Sequence, residues 1–266
     1  MIMRIKGGIK LYMMYVSNIV KSIMQYKLSF VLMFIGRFLV SFSGFVSLAF
    51  LFSDFTDIKG YSYSDVLLCF SIMQMSFSLA ECFGSSFKVF SGIIRSGEFD
   101  RMLLRPRSPI LQVVGTKFEI GRLGALITAI VTLVIGIRGS EMDWGLSNVL
   151  TLLFMIFGGT MLFIALFLVE AAFCFFTIAD GGILNMLTYG AKEHGKYPMD
   201  IYGKGIMNFC TYIIPYALVQ YYPLLYLLGK TDRWWYALYP FGAVLFLLLS
   251  YALWRYGMRN YKSTGS

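Results

Sequence analysis

Long unbroken apolar runs constrain this chain more than any other feature. A helix rises 1.5 Å per residue, so about 20 apolar residues carry it across the roughly 30 Å of hydrocarbon in a bilayer. Six stretches reach that length, at 28–53, 66–90, 110–137, 149–178, 206–228 and 235–256. With 58% of its 266 residues hydrophobic and only 14% charged, the chain has little left from which to build a water-facing domain. The sequence predicts an all-α membrane protein with six transmembrane helices in a single domain over 1–266. Segment 1–27 precedes the first span, the spans occupy 28–256, and 257–266 form a tail.

The net charge of +9 raises the question of a nucleic-acid partner. The basic residues are spread among the segments between spans, so the bilayer is the expected partner and nucleic acid is not. Seventeen of the 23 Lys and Arg residues fall in one alternate set of connections and four in the other, with Arg37 and Arg122 inside spans. Positively charged connections stay in the cytoplasm, which places both termini there in an inner-membrane protein. The N-terminus has no short apolar core followed by a small-residue cleavage site, so no removable signal peptide is expected. Cys69, Cys82, Cys174 and Cys210 all fall within predicted spans without metal-ligand spacing, and are expected to be buried thiols.

Ahead of the first span, Ile2, Ile5, Ile9, Tyr12, Val16, Ile19 and Ile23 recur at steps of three and four, with Lys6, Lys10 and Lys21 between them. That periodicity gathers the apolar residues on one face and suits an amphipathic helix lying in the membrane interface. In the second span, Ser71, Gln74, Ser78, Glu81 and Ser85 form a polar stripe that must face protein or water. Arg37 lies about 15 Å into the first span, where a lone charge facing lipid is costly. Glu81 and Glu170 lie at comparable depth, which makes either one its expected partner; the alternative for Arg37 is direct contact with a substrate. Near the end, Pro215 and Pro223 interrupt a run rich in tyrosine. It reads either as one kinked span or as a shortened span followed by a helix that dips back from the outer face before the last span.

Catalytic motifs are weak. Gly190, Gly195 and Lys196 have the spacing of a phosphate-binding loop, but Tyr197 stands where a magnesium-holding Ser or Thr is needed, and no strand precedes it. The stretch is expected in the cytoplasmic connection between the fourth and fifth spans, with Lys192, Glu193, His194 and Lys196 on a solvated face or against a partner. His194 is the single histidine, which rules out a histidine-rich metal site. The pairs Glu98/Asp100 and Glu141/Asp143 have i,i+2 spacing and do not share a helix face. No catalytic, cofactor or metal site is expected on this chain.

The richest connection follows the second span. Gly97 breaks the helix, Glu98 and Asp100 supply acid, Phe99, Met102, Leu103 and Leu104 an apolar surface, and Arg101, Arg105 and Arg107 a basic surround. Pro106 and Pro109 stiffen the return. This suits a short helix inserting into a cleft on a soluble partner; as a plain alternative, it is a positively charged loop with a turn. The segment GEFDRMLLRPRSP resembles the Gly-x-x-Asp-x-x-Leu-x-Arg-Pro motif in a branch of the type-2 ABC exporter permeases. The later YPMDIYGKGIMNFCTYIIPYALVQYYPLLYLLG resembles the same branch, and with the span pattern the likeness covers nearly the whole chain.

The resemblance implies a permease subunit that works with two separate ABC ATPase subunits, which hold the ATP and Mg, and with a second permease, identical or different. It makes the loop after the second span a cytoplasmic coupling helix, with Glu98, Phe99, Asp100, Arg101, Leu104 and Arg105 as candidate ATPase-coupling residues. Arg37, Gln74, Ser78, Glu81 and Glu170 are candidates for a translocation path or a buried ion pair. An aromatic, Met-rich interior suits export of an amphipathic or hydrophobic substrate such as a drug, peptide antibiotic or lipid-linked molecule. The competing reading is a stand-alone secondary transporter or channel that uses Glu81, Glu170 and Arg37.

Overall fold

The computed structural model describes residues 2–140, 142, 144–177 and 182–263. Along the chain run α1 (Ile2–Met24), α2 (Lys27–Asp54), α3 (Tyr63–Lys88), and the short helices α4 (Phe90–Arg95), α5 (Glu98–Leu103) and α6 (Pro109–Val114). They are followed by α7 (Arg122–Gly139), α8 (Leu146–Thr177), α9 (Gly182–His194), a 3₁₀ turn at Met199–Tyr202, α10 (Lys204–Tyr212), α11 (Tyr216–Val219) and α12 (Tyr221–Leu227). A second 3₁₀ turn, Trp234–Phe241, leads into α13 (Gly242–Arg259). Five helical stretches are long and apolar enough to cross a membrane: α2, α3 with α4, α7, α8, and α13 with its 3₁₀ lead-in. The protein is an all-α, multi-span membrane protein. The pair Glu141/Asp143 lies outside the described residues, as do the side chains of Ile2, Ile5, Lys6 and Ile9.

Helix α3 is the axis of the bundle. Its start is fixed by reciprocal capping, in which the Asp65 N–H donates to the Ser62 hydroxyl and the Ser62 N–H donates to the Asp65 carboxylate at 3.0 Å. Small residues then let α7 and α8 approach closely. A Cβ on Gly136 would meet Leu68, and one on Gly159 would meet Ser76, whose hydroxyl already donates to the Ile156 carbonyl. Lipid gives helices little hydrophobic drive to associate, so contact area of this kind carries much of the cohesion.

At the end where α1, α5 and the C-terminal residues meet, here the terminal end, aromatic rings lock several elements together. Phe90 of α4, Phe175 of α8 and Trp254 of α13 pack with centroids 4.6 to 5.1 Å apart, and Phe99 of α5 stands edge-on to Phe90 at 5.2 Å. Such offset and edge-on pairs are the favoured aromatic arrangements. Helix α1 rests on the same end, with the ring of Tyr15 against Gly115.

The region 206–228, expected either as one kinked span or as a shortened span followed by a helix that dips back, is broken into α10, α11 and α12. Pro215 lacks the N–H that a continuous helix needs, and the chain turns there. Contacts trace its route. The Tyr216 hydroxyl donates to the Leu187 carbonyl at 3.4 Å, Gln220 donates to the Tyr197 carbonyl, Tyr226 meets Ser147 at the start of α8, and Lys230 donates to the Gly60 carbonyl. The chain therefore returns from the bundle interior to the distal end before α13 begins.

Another segment that lies along α3 is α9 with the turn after it. Tyr189 meets Glu81 and Lys88, Lys192 covers the ring of Phe77, Lys196 covers that of Phe70, and Asp200 accepts from the Tyr61 hydroxyl at 3.1 Å. This segment runs antiparallel to α3 along most of its length. Burial, and after it the neighbouring Asp200 carboxylate, push the Tyr61 phenol well above its ordinary range. Within Gly190–Pro198, Ala191, Gly195 and Pro198 are buried and Lys192 and Lys196 are partly so, whereas Glu193 and His194 are exposed, as expected of a solvated face. Charges in this stretch argue against a lipid-facing helix; α9 packs on α3 and α8 with one side, while Met186, Glu193 and His194 are exposed.

Candidate functional site

Two regions concentrate the residues picked out by the sequence. The first is α5 and the loop leading to α6. Gly97 has φ +65°, a left-handed conformation that sets α5 off from α4. Phe99 and Met102 point inward and are fully buried, whereas Leu104 is 87% exposed and Leu103, Arg101 and Arg105 also face out. Glu98 is half-buried, and the Asp100 carboxylate accepts from the Ser263 hydroxyl at 2.9 Å, so the C-terminal segment lies on this helix. Gln112 donates to the carbonyls of Met102 and Arg107 and ties the loop to α6. The apolar surface expected to enter a partner is thus divided: Phe99 and Met102 anchor α5 to the bundle, and Leu103 and Leu104 remain available.

The second region is a charged column inside the bundle. Glu81, only 2% exposed, is held by Lys88 at 2.6 Å, by the Tyr189 hydroxyl at 3.1 Å, and by Arg122 on its other oxygen. The Lys88 ammonium also donates to Tyr189 at 2.5 Å. Arg37 does not reach Glu81; it pairs with Glu119 at 3.8 Å, and Lys117 meets the same acid at 3.1 Å. The reason is the position of Arg122, which opens α7 beside Glu81 and takes the place expected for Arg37. Glu170 is buried on α8 and is not a member of the Arg37 pair.

Above these clusters, a cavity of about 290 Å³ lies between α2, α3 and α9. Its floor holds Gln74, which donates to the buried Ser41 hydroxyl at 3.0 Å, and its walls carry Ser43, Ser47, Lys192, Glu193 and Lys196. Glu193 is paired with both Lys192, at 3.5 Å, and Lys196. The polar stripe read from the sequence is buried throughout: Ser71, Gln74, Ser78, Glu81 and Ser85 are all at most 4% exposed. The sequence reading missed Lys88, Lys192 and Lys196 as interior groups, and it placed Arg122 inside a span without giving it a partner. The 3.6 periodicity offered one signal, because Lys88 falls seven residues after Glu81, on the same face of α3.

A family described as ABC-2 family transporter protein matches residues 38–265. The chain belongs to the ABC-2 transporter family. The match begins within α2, one residue after Arg37, so it takes in α5 and the Glu81 cluster of this ABC-2 chain. No curated protein and no solved structure gives a significant match. The ABC-2 chain is accordingly a multi-pass membrane permease subunit, a transporter component and not an enzyme. Among the described residues no group of three or more His, Cys, Asp or Glu could hold a metal ion. Family membership implies the usual association of such permeases with ATPase subunits.

Proposed function

We propose that this permease belongs to an ATP-driven exporter of the bacterial inner membrane, with both termini cytoplasmic and two separate ATPase subunits docked at the terminal end. The observation that carries this reading is the two-sided construction of α5. Its outward side presents Arg101, Leu104 and Arg105, while Phe99 on its inward side is wedged among Phe90, Phe175 and Trp254. A force applied to the outer side by ATPase closure would pass through packed rings to α4, α8 and α13 together, and interfaces packed this tightly shift between discrete arrangements. In this reading α5 is the coupling helix, α1 lies in the interface, α9 is the fifth crossing, and α10–α12 form a re-entrant pair opened from the distal face. A second permease, identical or different, completes the assembly around an amphipathic or hydrophobic substrate. Engagement of Glu81 by Lys88, Arg122 and Tyr189 suits a fixed tie better than a site that loads and releases a cation, which favours the exporter over the secondary-transporter reading.

Tagged chain extracted in mild detergent from its native host should retain an ABC ATPase in stoichiometric amount, identified by mass spectrometry. Arg101→Glu with Arg105→Glu should lower that recovery by about tenfold or more, with membrane insertion unchanged. Recovery of the wild-type chain alone, under conditions that preserve a known ABC complex, would defeat the proposal.

A further inference from the structure

Three acids are each shared by two cations, Glu81 inside the bundle and two nearer its surface, where the side chains of Glu193, Arg37 and Lys117 are 56%, 40% and 44% exposed. Lys192 and Lys196 share Glu193, Lys88 and Arg122 share Glu81, and Arg37 and Lys117 share Glu119. At the cavity between α2, α3 and α9, two lysines face one carboxylate, that of Glu193. Uncompensated positive charge within a membrane bundle is costly, because the low dielectric lengthens and strengthens every repulsion. The cavity of about 290 Å³ bounded by Ser41, Gln74, Lys192, Glu193 and Lys196 is open beside this charge, with the Glu193 carboxylate half exposed at its wall.

Its chemistry is that of an oxyanion site. Lys192 and Lys196, each less than one-fifth exposed, supply point charges. The Ser41 hydroxyl accepts from Gln74 and has no acceptor of its own among the described residues, which leaves its proton to donate. Ser43 and Ser47 stand at the mouth on α2, next to the exposed apolar side chains of Leu39, Val40 and Phe50. A polar, cationic recess thus opens beside a lipid-compatible wall. Resting on the exporter reading above, we infer that this cavity receives the anionic oxyacid head group, phosphate or carboxylate, of an amphipathic molecule whose apolar tail lies along α2.

The full-length chain in detergent can be tested by native mass spectrometry against phosphatidic acid and phosphatidylcholine with identical acyl chains, and against inorganic phosphate. Wild type should retain phosphatidic acid in preference to phosphatidylcholine. Lys196→Gln and Lys192→Gln should each weaken retention by about tenfold, Lys196→Arg should preserve it, and Lys204→Gln, at an exposed site on α10, should leave it unchanged. Ser47→Asp, which adds an acid at an exposed position on the cavity mouth, should weaken retention without removing any interior contact. Equal retention of the two lipids, or undiminished retention in both the Lys192→Gln, Lys196→Gln double variant and Ser47→Asp, would overturn the inference. Displacement of phosphatidic acid by inorganic phosphate at comparable concentration would overturn the amphipathic assignment and make the ligand a free anion. The measurement needs no ATPase, so its failure is separate from failure of ATPase co-purification.

Discussion

Helices α2 and α3 are similar in length and both are apolar, yet they live in opposite surroundings. The more apolar of the two, α2, with mean hydropathy 1.9, has 11% of its apolar window buried; α3, at 1.6, has 83% buried. Water-soluble proteins order their helices the other way. In a bilayer the lipid accepts apolar side chains as readily as the interior does, so hydrophobicity stops marking the inside. What marks it is smallness and polarity: the serines, Gln74 and Glu81 of α3 are buried, while Leu28, Leu32, Leu39 and Phe50 of α2 are exposed.

The largest effect expected from this contrast is at the tie between α3 and α7. Arg122→Leu leaves the Glu81 carboxylate short of one of its two cationic partners in a site that is 2% exposed. Removing one member of a buried pair typically costs about 3–5 kcal/mol, and thermal melting of the detergent-solubilised chain should show a loss of that order. No loss would mean that α3 is not held by this cluster and that its burial has another cause.

A finer test uses glycines on the two sides of the comparison. On α8, a Cβ at Gly159 would press into Ser76 of α3, whereas at Gly36 of α2 nothing stands within 4 Å. Gly159→Ala is expected to destabilise by about 1–3 kcal/mol through overpacking. Gly36→Ala should be neutral or stabilising by up to about 1 kcal/mol, since it removes only the helix penalty of glycine. Melting shifts of the same sign would break the comparison.

How much of this was legible beforehand follows the same physics. The helices at 28–53, 66–90, 149–178 and 235–256 announce themselves because each is a long apolar run, and the stripe from Ser71 to Ser85 announces its burial because polar groups cannot face lipid. The placement of α9 does not announce itself. Lys192 and Lys196 read as loop residues as long as each is compared with water or lipid, and their partial burial shows only once α2 and α3 stand against them, while Glu193 and His194 stay exposed. Arg37 was likewise assigned by depth alone, and depth cannot reveal that Arg122 reaches Glu81 first. In the segment after α4, the spacing from Gly97 to Pro106 marked a helix break and a stiffened return, but which of its apolar residues turn inward depends on Phe90, Phe175 and Trp254.

The smallest expected effect lies on the exposed face of α2. Leu32 is 60% exposed, so Leu32→Ala should change the melting of the isolated chain by no more than about 0.5 kcal/mol. A leucine buried within the fold would lose roughly 2–5 kcal/mol on the same truncation. The two values separate a lipid-facing residue from a packed one, and the same substitution measured in the assembled transporter asks a further question. If a second permease covers α2 there, the cost should rise toward the buried range in the complex while remaining small in the isolated chain. If it stays small in both, this face meets lipid throughout, and the contact between permeases must be sought on another helix.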